Sequence, residues 1–269
     1  MINYHKICLE VCELSKTVGR YISEQSAQFS QDKIEHKGQH DYVSFVDREA
    51  EAQIVTKLRE LIPESGFIAE EGTANNKGDV YNWVVDPLDG TTNFIHGVPV
   101  YSVSIALMEN EAIVIGVVYE INLGECFYAW KGGKAMLNDH EIKISGMQQL
   151  DSALLATGFP YADFSRMDDY LKVFRHFMKN TAGIRRLGSA AADLAYVACG
   201  RFEGFYEYGL SPWDVAAGAF IVESAGGRAT DFKGEGNYIF GRELIAGSPF
   251  IHPEMLSVIQ KLFSPLIEK

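Results

Sequence analysis

Trp83-Val-Val-Asp86-Pro-Leu-Asp89-Gly-Thr91-Thr92-Asn93-Phe94 is the stretch from which the fold of this 269-residue chain is read. An apolar, β-branched run ends at Asp86. Pro87 then lacks the N–H that a further ladder bond needs, and Gly90 permits a tight backbone path. The pattern predicts a strand that stops at a rigid turn carrying two aspartates three residues apart.

Outward from that turn, GFIAE (66–70), YNWVVD (81–86), YSVSIALM (101–108), AIVIGVVYE (112–120) and ECFYAW (125–130) read as strands of a mostly antiparallel sheet. Upstream, apolar residues at Ile7, Val11, Leu14, Val18, Tyr21 and Ile22 mark one face of a helix from Tyr4 to about Gln28. A polar loop with Lys37 and Gly38 follows. Ser44-Phe-Val-Asp47 then opens a second helix through Ala50, Ile54, Leu58 and Leu61. Downstream of a strand at LLATG (154–158), helices are expected at 167–179, 189–199, 213–225 and 253–263. Strands are expected at 183–187, 202–207 and 243–247. Two helices, a sheet and an alternating α/β half fit stacked layers of helix and sheet. The polar stretch SGMQQLD places a seam near residue 148, dividing the chain into 1–147 and 148–269.

The 47% hydrophobic content supports a sizeable core, and no apolar run approaches the ~20 residues needed to span a bilayer. MINYHKICLEVCELSK lacks the layout of a secretory signal, so a cytoplasmic location is expected. Cys8, Cys12, Cys126 and Cys199 form no CxxC pair and read as reduced, buried thiols rather than a zinc site. A net charge of −12 argues against nucleic acid and anionic membranes as partners. It also requires that any phosphate site be made locally positive, for which bound metal ions are the obvious means.

The aspartate turn suits that task. Mg²⁺ takes hard oxygen ligands in near-octahedral array. Asp86 and Asp89 supply carboxylates, the Leu88 carbonyl a neutral oxygen, Thr91 and Thr92 hydroxyls, and Gly90 and Thr91 N–H groups for a phosphate. A helix starting here would add favourable partial charge for an anion. A plain strand-ending turn is the competing reading, since Asp-Gly is a common turn pair. Glu70-Glu71 ends a neighbouring strand, and Asp214 in Ser211-Pro-Trp-Asp214-Val-Ala-Ala-Gly218 opens a small-residue helix. Alone, the first reads as a solvated loop edge and the second equally well as a helix N-cap. His36 and His40 read as a solvated loop, and Arg185 and Arg186 as partners of acidic residues. No GxxxxGK[ST], GxGxxG or GxSxG motif occurs.

DPLDGTTNF (86–94), AEEG (69–72), GSAA (188–191) and PWDVAAG (212–218) together resemble the signature segments of the inositol monophosphatase family, in its order and spacing. The resemblance implies a layered αβαβα sandwich shared with fructose-1,6-bisphosphatases, a homodimer, and lithium-sensitive hydrolysis of a small phosphate monoester. Two or three Mg²⁺ ions, with Mn²⁺ a possible substitute, would assist in-line attack by water without a covalent intermediate. Carried over by motif, the metal ligands are Glu70, Asp86, the Leu88 carbonyl, Asp89 and Asp214. Asp47 matches the family's threonine-x-x-aspartate site for a further metal, with Ser44 in place of the usual threonine. Glu70 and Thr91 would activate the attacking water. Gly90 and Thr91 would hold the phosphate, and Asp89, Gly188, Ser189, Ala190, Glu207 and Asp214 would meet the substrate.

Relatives acting on 3′-phosphoadenosine 5′-phosphate carry lysine and glutamate where this chain has Thr92 and Asn93, which favours inositol 1-phosphate. Fructose 1,6-bisphosphate, NADP, histidinol phosphate and 3′-phosphoadenosine 5′-phosphate are the alternative substrates. A role as a partner of the transcription machinery is the alternative of a different class.

Overall fold

The computed structural model of the protein describes residues 2–26, 34–38, 41–160 and 163–263. Helix α1 (Tyr4–Ser26) leads through strands β1 (Ile34–Gly38) and β2 (Asp41–Ser44) to helix α2 (Phe45–Leu61). Next come β3 (Gly66–Ala69), β4 (Tyr81–Asp89), the short α3 (Thr91–Ile95), β5 (Ser102–Glu109), β6 (Ala112–Glu120), β7 (Glu125–Trp130), β8 (Met136–Leu137) and β9 (His140–Glu141). The remainder alternates: β10 (Leu154–Thr157), α4 (Met167–Asn180), β11 (Gly183–Arg185), α5 (Ala190–Ala198), β12 (Gly204–Tyr208), α6 (Pro212–Ser224), β13 (Arg228–Thr230), β14 (Glu243–Gly247) and α7 (Ile251–Leu262).

Strands β3 to β9 form a seven-stranded sheet in chain order. Only β3 and β4 run parallel in it. The second sheet has the order β11-β10-β12-β14-β13, parallel around β10 and antiparallel around β14. Helices α1 and α2 cover the outer face of the first sheet, α5 and α6 lie between the sheets, and α4 and α7 cover the second. The five layers αβαβα enclose three apolar cores.

Composition explains which helix takes which layer. The stripe Val11, Val18, Ile22 of α1 is buried while Glu10, Glu13 and Lys16 stay at the surface, as one covered face requires. By contrast, α6 reads Ala-Ala-Gly-Ala-Phe-Ile-Val and is buried almost all round, as a helix between two sheets must be. Gly218 allows the close approach of α5, since a Cβ there would lie 2.6 Å from the Leu194 Cβ.

Two expectations are corrected. The stretch around Lys37 and Gly38, read as a polar loop, belongs to an antiparallel pair in which Ile34 faces Ser44. Tyr42 and Val43 supply β-propensity that the polar neighbours obscure. Pro87 does not end β4: the strand continues to Asp89, with Asp86 opposite Ser104 and Asp89 opposite Ser102. Three steps on β4 thus match two on β5, a bulge, which is where a strand interior tolerates proline. The strands β8, β9 and β13 were not anticipated. His40 and the side chains of His36 and Ser44 lie outside the described residues.

Candidate active site

The bulge in β4 builds the site. In a regular strand residues three apart point to opposite faces, but one extra residue turns the second back to the side of the first. Asp86 and Asp89 are therefore brought together, and Asp214, from the first turn of α6, joins them. Among the described residues, the carboxylate oxygens these three offer lie within 4.8 Å of one another. The donors are hard oxygens only, the set that Mg²⁺ or Mn²⁺ takes.

Each aspartate is fixed by backbone. The Leu88 N–H donates to Asp86 Oδ1 at 2.9 Å. Asp89 Oδ2 accepts from the Ser189 hydroxyl at 2.6 Å and from the Ala191 N–H at 2.7 Å. The N-terminus of α5 is thus aimed at Asp89, where its dipole favours a negative charge. Ser211 N–H donates to Asp214 Oδ2 at 2.6 Å, so Asp214 is not the N-cap of α6 but its third residue, reaching back to the cap.

Electrostatics match the crowding. Burial, and then the neighbouring Glu70, Asp89 and Asp214, push the Asp86 carboxyl well above the usual carboxylate range. Burial pushes Asp89 up to about 6 against the opposing hydrogen bonds from Ser189 and Ala191. Burial and then Asp89 push Asp214 up to about 7. Like charges this close disfavour ionisation, and a divalent cation among them removes the penalty.

The other expected residues fall around this centre. Glu70 lies close enough to Asp86 to raise its carboxyl pKa, at the edge of the three aspartates. Buried Asp47, on α2, accepts from the Thr91 hydroxyl at 3.1 Å, and that hydroxyl also lies 3.0 Å from the Leu88 carbonyl. Gly90 has φ 97°, a left-handed conformation that glycine adopts without strain, and it caps α3. A cleft of about 70 Å³ opens from Asp89 and Asp214 and is lined by Gly188, Ser189, Ala190 and Glu207. Burial, and next Asp214, raise the Glu207 carboxyl well above its ordinary range. A larger groove, about 570 Å³, lies between α1 and α2 among exposed glutamates and contains none of these residues. Of the two, the smaller cleft is the candidate active site, because it and not the groove is lined by the converging aspartates and by buried Ser189, Asp193 and Glu207.

Of the arginines, Arg185 is exposed and donates to its neighbour's Ile184 carbonyl, whereas Arg186 lines the cleft and stacks over Phe159 at 5.6 Å. Arg186 thus belongs to the rim of the site.

Several supporting residues escaped the sequence reading. Ser102 and Ser104, on one face of β5, reach the Ser189 hydroxyl and the Trp213 carbonyl, both at 3.0 Å. The Asn93 amide donates to the Val100 and Leu187 carbonyls at 2.7 Å each. Glu51 accepts from Glu71 N–H, Thr73 N–H and the Thr73 hydroxyl, all at 2.7 Å, tying α2 to the segment after Glu70. Asp193 is buried in α5 and lines the cleft. The available signal was a polar side chain on an otherwise apolar stripe.

The profile of the inositol monophosphatase family matches residues 5–264. The chain is 41% identical over 260 residues to the Nus factor SuhB of Pseudomonas aeruginosa, covering 95% of this chain and 96% of that protein. It is 39% identical over 247 residues to the inositol-1-monophosphatase of Mesorhizobium japonicum, covering 91% and 93%. Among solved structures, the extragenic suppressor protein suhB of Bartonella henselae superposes with a TM-score of 0.88 at 38% identity, covering 93% of this chain and 96% of that one.

Proposed function

This chain belongs to the inositol monophosphatase family and is a phosphatase; from that premise we propose that it hydrolyses inositol 1-phosphate, or a similar small polyol phosphate, to the polyol and inorganic phosphate. The observation that carries this reading is the convergence of Asp86 and Asp89 of β4 with Asp214 of the distant α6, beside a cleft that also holds Glu207.

The residues present fit Mg²⁺. Glu70, Asp86, the Leu88 carbonyl, Asp89 and Asp214 hold two ions in this proposal, Asp47 supports a third, and Mn²⁺ substitutes. When bound, the cations neutralise charge developing on the transferred phosphoryl group and make water a stronger nucleophile. The chain's own residues do the positioning. The Thr91 hydroxyl hydrogen, given to Asp47 or to the Leu88 carbonyl, leaves lone pairs that accept from the attacking water. Glu70, on the adjacent strand end, takes the water's proton. Gly90 and Thr91 N–H groups hold the phosphate oxygens. Asp89, Ala190 and Glu207 meet the hydroxyls of the leaving alcohol, with Gly188, Ser189 and Asp214 shaping that wall. The enzyme works as a homodimer and is inhibited by lithium.

The test is a phosphate-release panel of inositol 1-phosphate, fructose 1,6-bisphosphate, NADP, histidinol phosphate and 3′-phosphoadenosine 5′-phosphate. Each is run with Mg²⁺, with chelator and with added lithium. Inositol 1-phosphate should give the highest Mg²⁺-dependent kcat/KM, and lithium should suppress it. A higher value for any other ester reassigns the substrate. The name of the Pseudomonas relative favours a second reading, a partner of the transcription machinery. Capture of RNA polymerase by a chain with no phosphatase activity would favour it over the first.

A further inference from the structure

We infer that Asp193 is a specificity-determining residue of this cleft, where its carboxyl group, together with that of Glu207, receives the hydroxyl groups of the alcohol that hydrolysis releases. The inference rests on the proposed polyol phosphatase activity and adds to it a residue and a rule of selection.

Asp193 is 1% exposed, in the first turn of α5. Its neighbours Ala191, Ala192, Leu194 and Ala195 are fully buried. A carboxyl group placed among alanines and leucine is costly unless something hydrogen-bonds to it. The other buried acids nearby have such partners: Asp89 accepts from Ser189 and Ala191, and Glu51 from Glu71 and Thr73. The Asp193 Oδ1 atom is buried with no hydrogen-bond partner. Because the residue also lines the cleft, the missing partner is one that enters from it.

Its surroundings indicate what enters. Asp193 is not one of the three aspartates whose oxygens converge, yet it lines the cleft beside Asp89 and Asp214. Glu207 lines the same space, and the two carboxyls are close enough for Asp193 to raise the Glu207 pKa. Gly158 lies directly against Glu207 and leaves room for its carboxyl, since a Cβ there would fall 2.0 Å from Glu207 Oε2. Two acidic groups with Arg186 at the rim suit a molecule rich in O–H donors. An aromatic leaving group offers no such donor and leaves Asp193 buried without a partner, a loss that discriminates against it.

The experiment compares two esters on the full-length protein at saturating Mg²⁺, inositol 1-phosphate and 4-nitrophenyl phosphate. The readout is the ratio of their kcat/KM values for wild type, Asp193→Asn and Asp193→Ala. The ratio should fall about tenfold or more in Asp193→Ala, mostly through KM for the inositol ester, and by less in Asp193→Asn, which keeps one acceptor. A ratio within about twofold of wild type in both variants overturns the inference, since a packing role would lower both activities together. Should Asp193→Ala fail to fold, the near-isosteric Asp193→Asn decides alone. Wild type inactive on inositol 1-phosphate but active on glycerol 2-phosphate narrows the proposed substrate to the smaller polyol ester, and the same ratio taken with that ester then decides Asp193. No release from any ester overturns both.

Discussion

Glu51, buried on α2, and the group Asp86, Asp89 and Asp214, of which Asp86 is buried and the other two are partly exposed, are carboxylates whose surroundings differ in kind. Glu51 projects from α2 and meets three donors, all from the segment after β3. The protein satisfies that charge itself, and the result is a brace that fixes where Glu70 sits. The three aspartates also accept from the chain, but one carboxylate oxygen from each lies within 4.8 Å of the others. Burial alone therefore does not mark a site. What marks it is acidity the chain has gathered without the counter-charge to balance it, and a divalent cation supplies that balance.

The comparison is broken first by neutralising one aspartate. Asp86→Asn or Asp214→Asn should lower kcat/KM at Mg²⁺ saturation by more than the roughly 100-fold that losses outside the coordinating shell reach. The melting temperature of the metal-free variant should hold or rise, because a repelling charge is gone. Activity near wild type would remove that residue from the metal centre. The second variant, Glu51→Ala, should act in the opposite sense. Removing the buried acceptor of three part-buried hydrogen bonds costs about 2 kcal/mol in denaturant unfolding, since water can reach the freed donors. It should also raise the Mg²⁺ concentration for half activity by about tenfold, while Glu51→Gln recovers part of both.

A smaller effect separates the two groups by pH. Asp89 and Asp214, pushed up to about 6 and about 7, hold protons in the folded, metal-free protein that the unfolded chain has already released. Stability is then fully present below about pH 4 and falls as the pH rises through these values. Thermal melts in chelator should show a decline of a few degrees across that window, with Mg²⁺ reversing it near pH 7 and above. A metal-free melting temperature that instead climbs from pH 4 to pH 7 would contradict this account of the crowding. Smallest of all is the exposed pair Lys57–Glu60, 2.9 Å apart beside the wide groove between α1 and α2. Glu60→Gln should leave both the melting temperature and the kinetics unchanged, since water already solvates both charges.

The same contrast explains what was legible in the sequence. Asp86 and Asp89 stand out because the whole string from Asp86 to Phe94, with its proline and paired threonines, holds more than a plain Asp-Gly turn needs, and the layer order follows from helical and strand periodicity. Their convergence was hidden, because proline normally signals the end of pairing and only the register with Ser104 and Ser102 reveals the bulge. Glu51 lies one helical turn after Asp47 on the stripe completed by Ile54 and Leu58, and Asp193 stands alone in an apolar helix. Each was a visible anomaly, a charge where the period demands a hydrophobe. Neither could be assigned without its partners, since Thr73 lies 22 residues from Glu51 and the cleft before Asp193 is assembled from both sheets. Composition also concealed the strand pair around Lys37, where mixed polar residues mask the β-branched ones.

Anomalous diffraction from a crystal soaked in Mn²⁺ bears most directly on the central claim. Density bounded by Asp86, Asp89 and Asp214, lost in the Asp214→Asn protein, is the expected result. Manganese bound only elsewhere, or none at millimolar concentration, would contradict it.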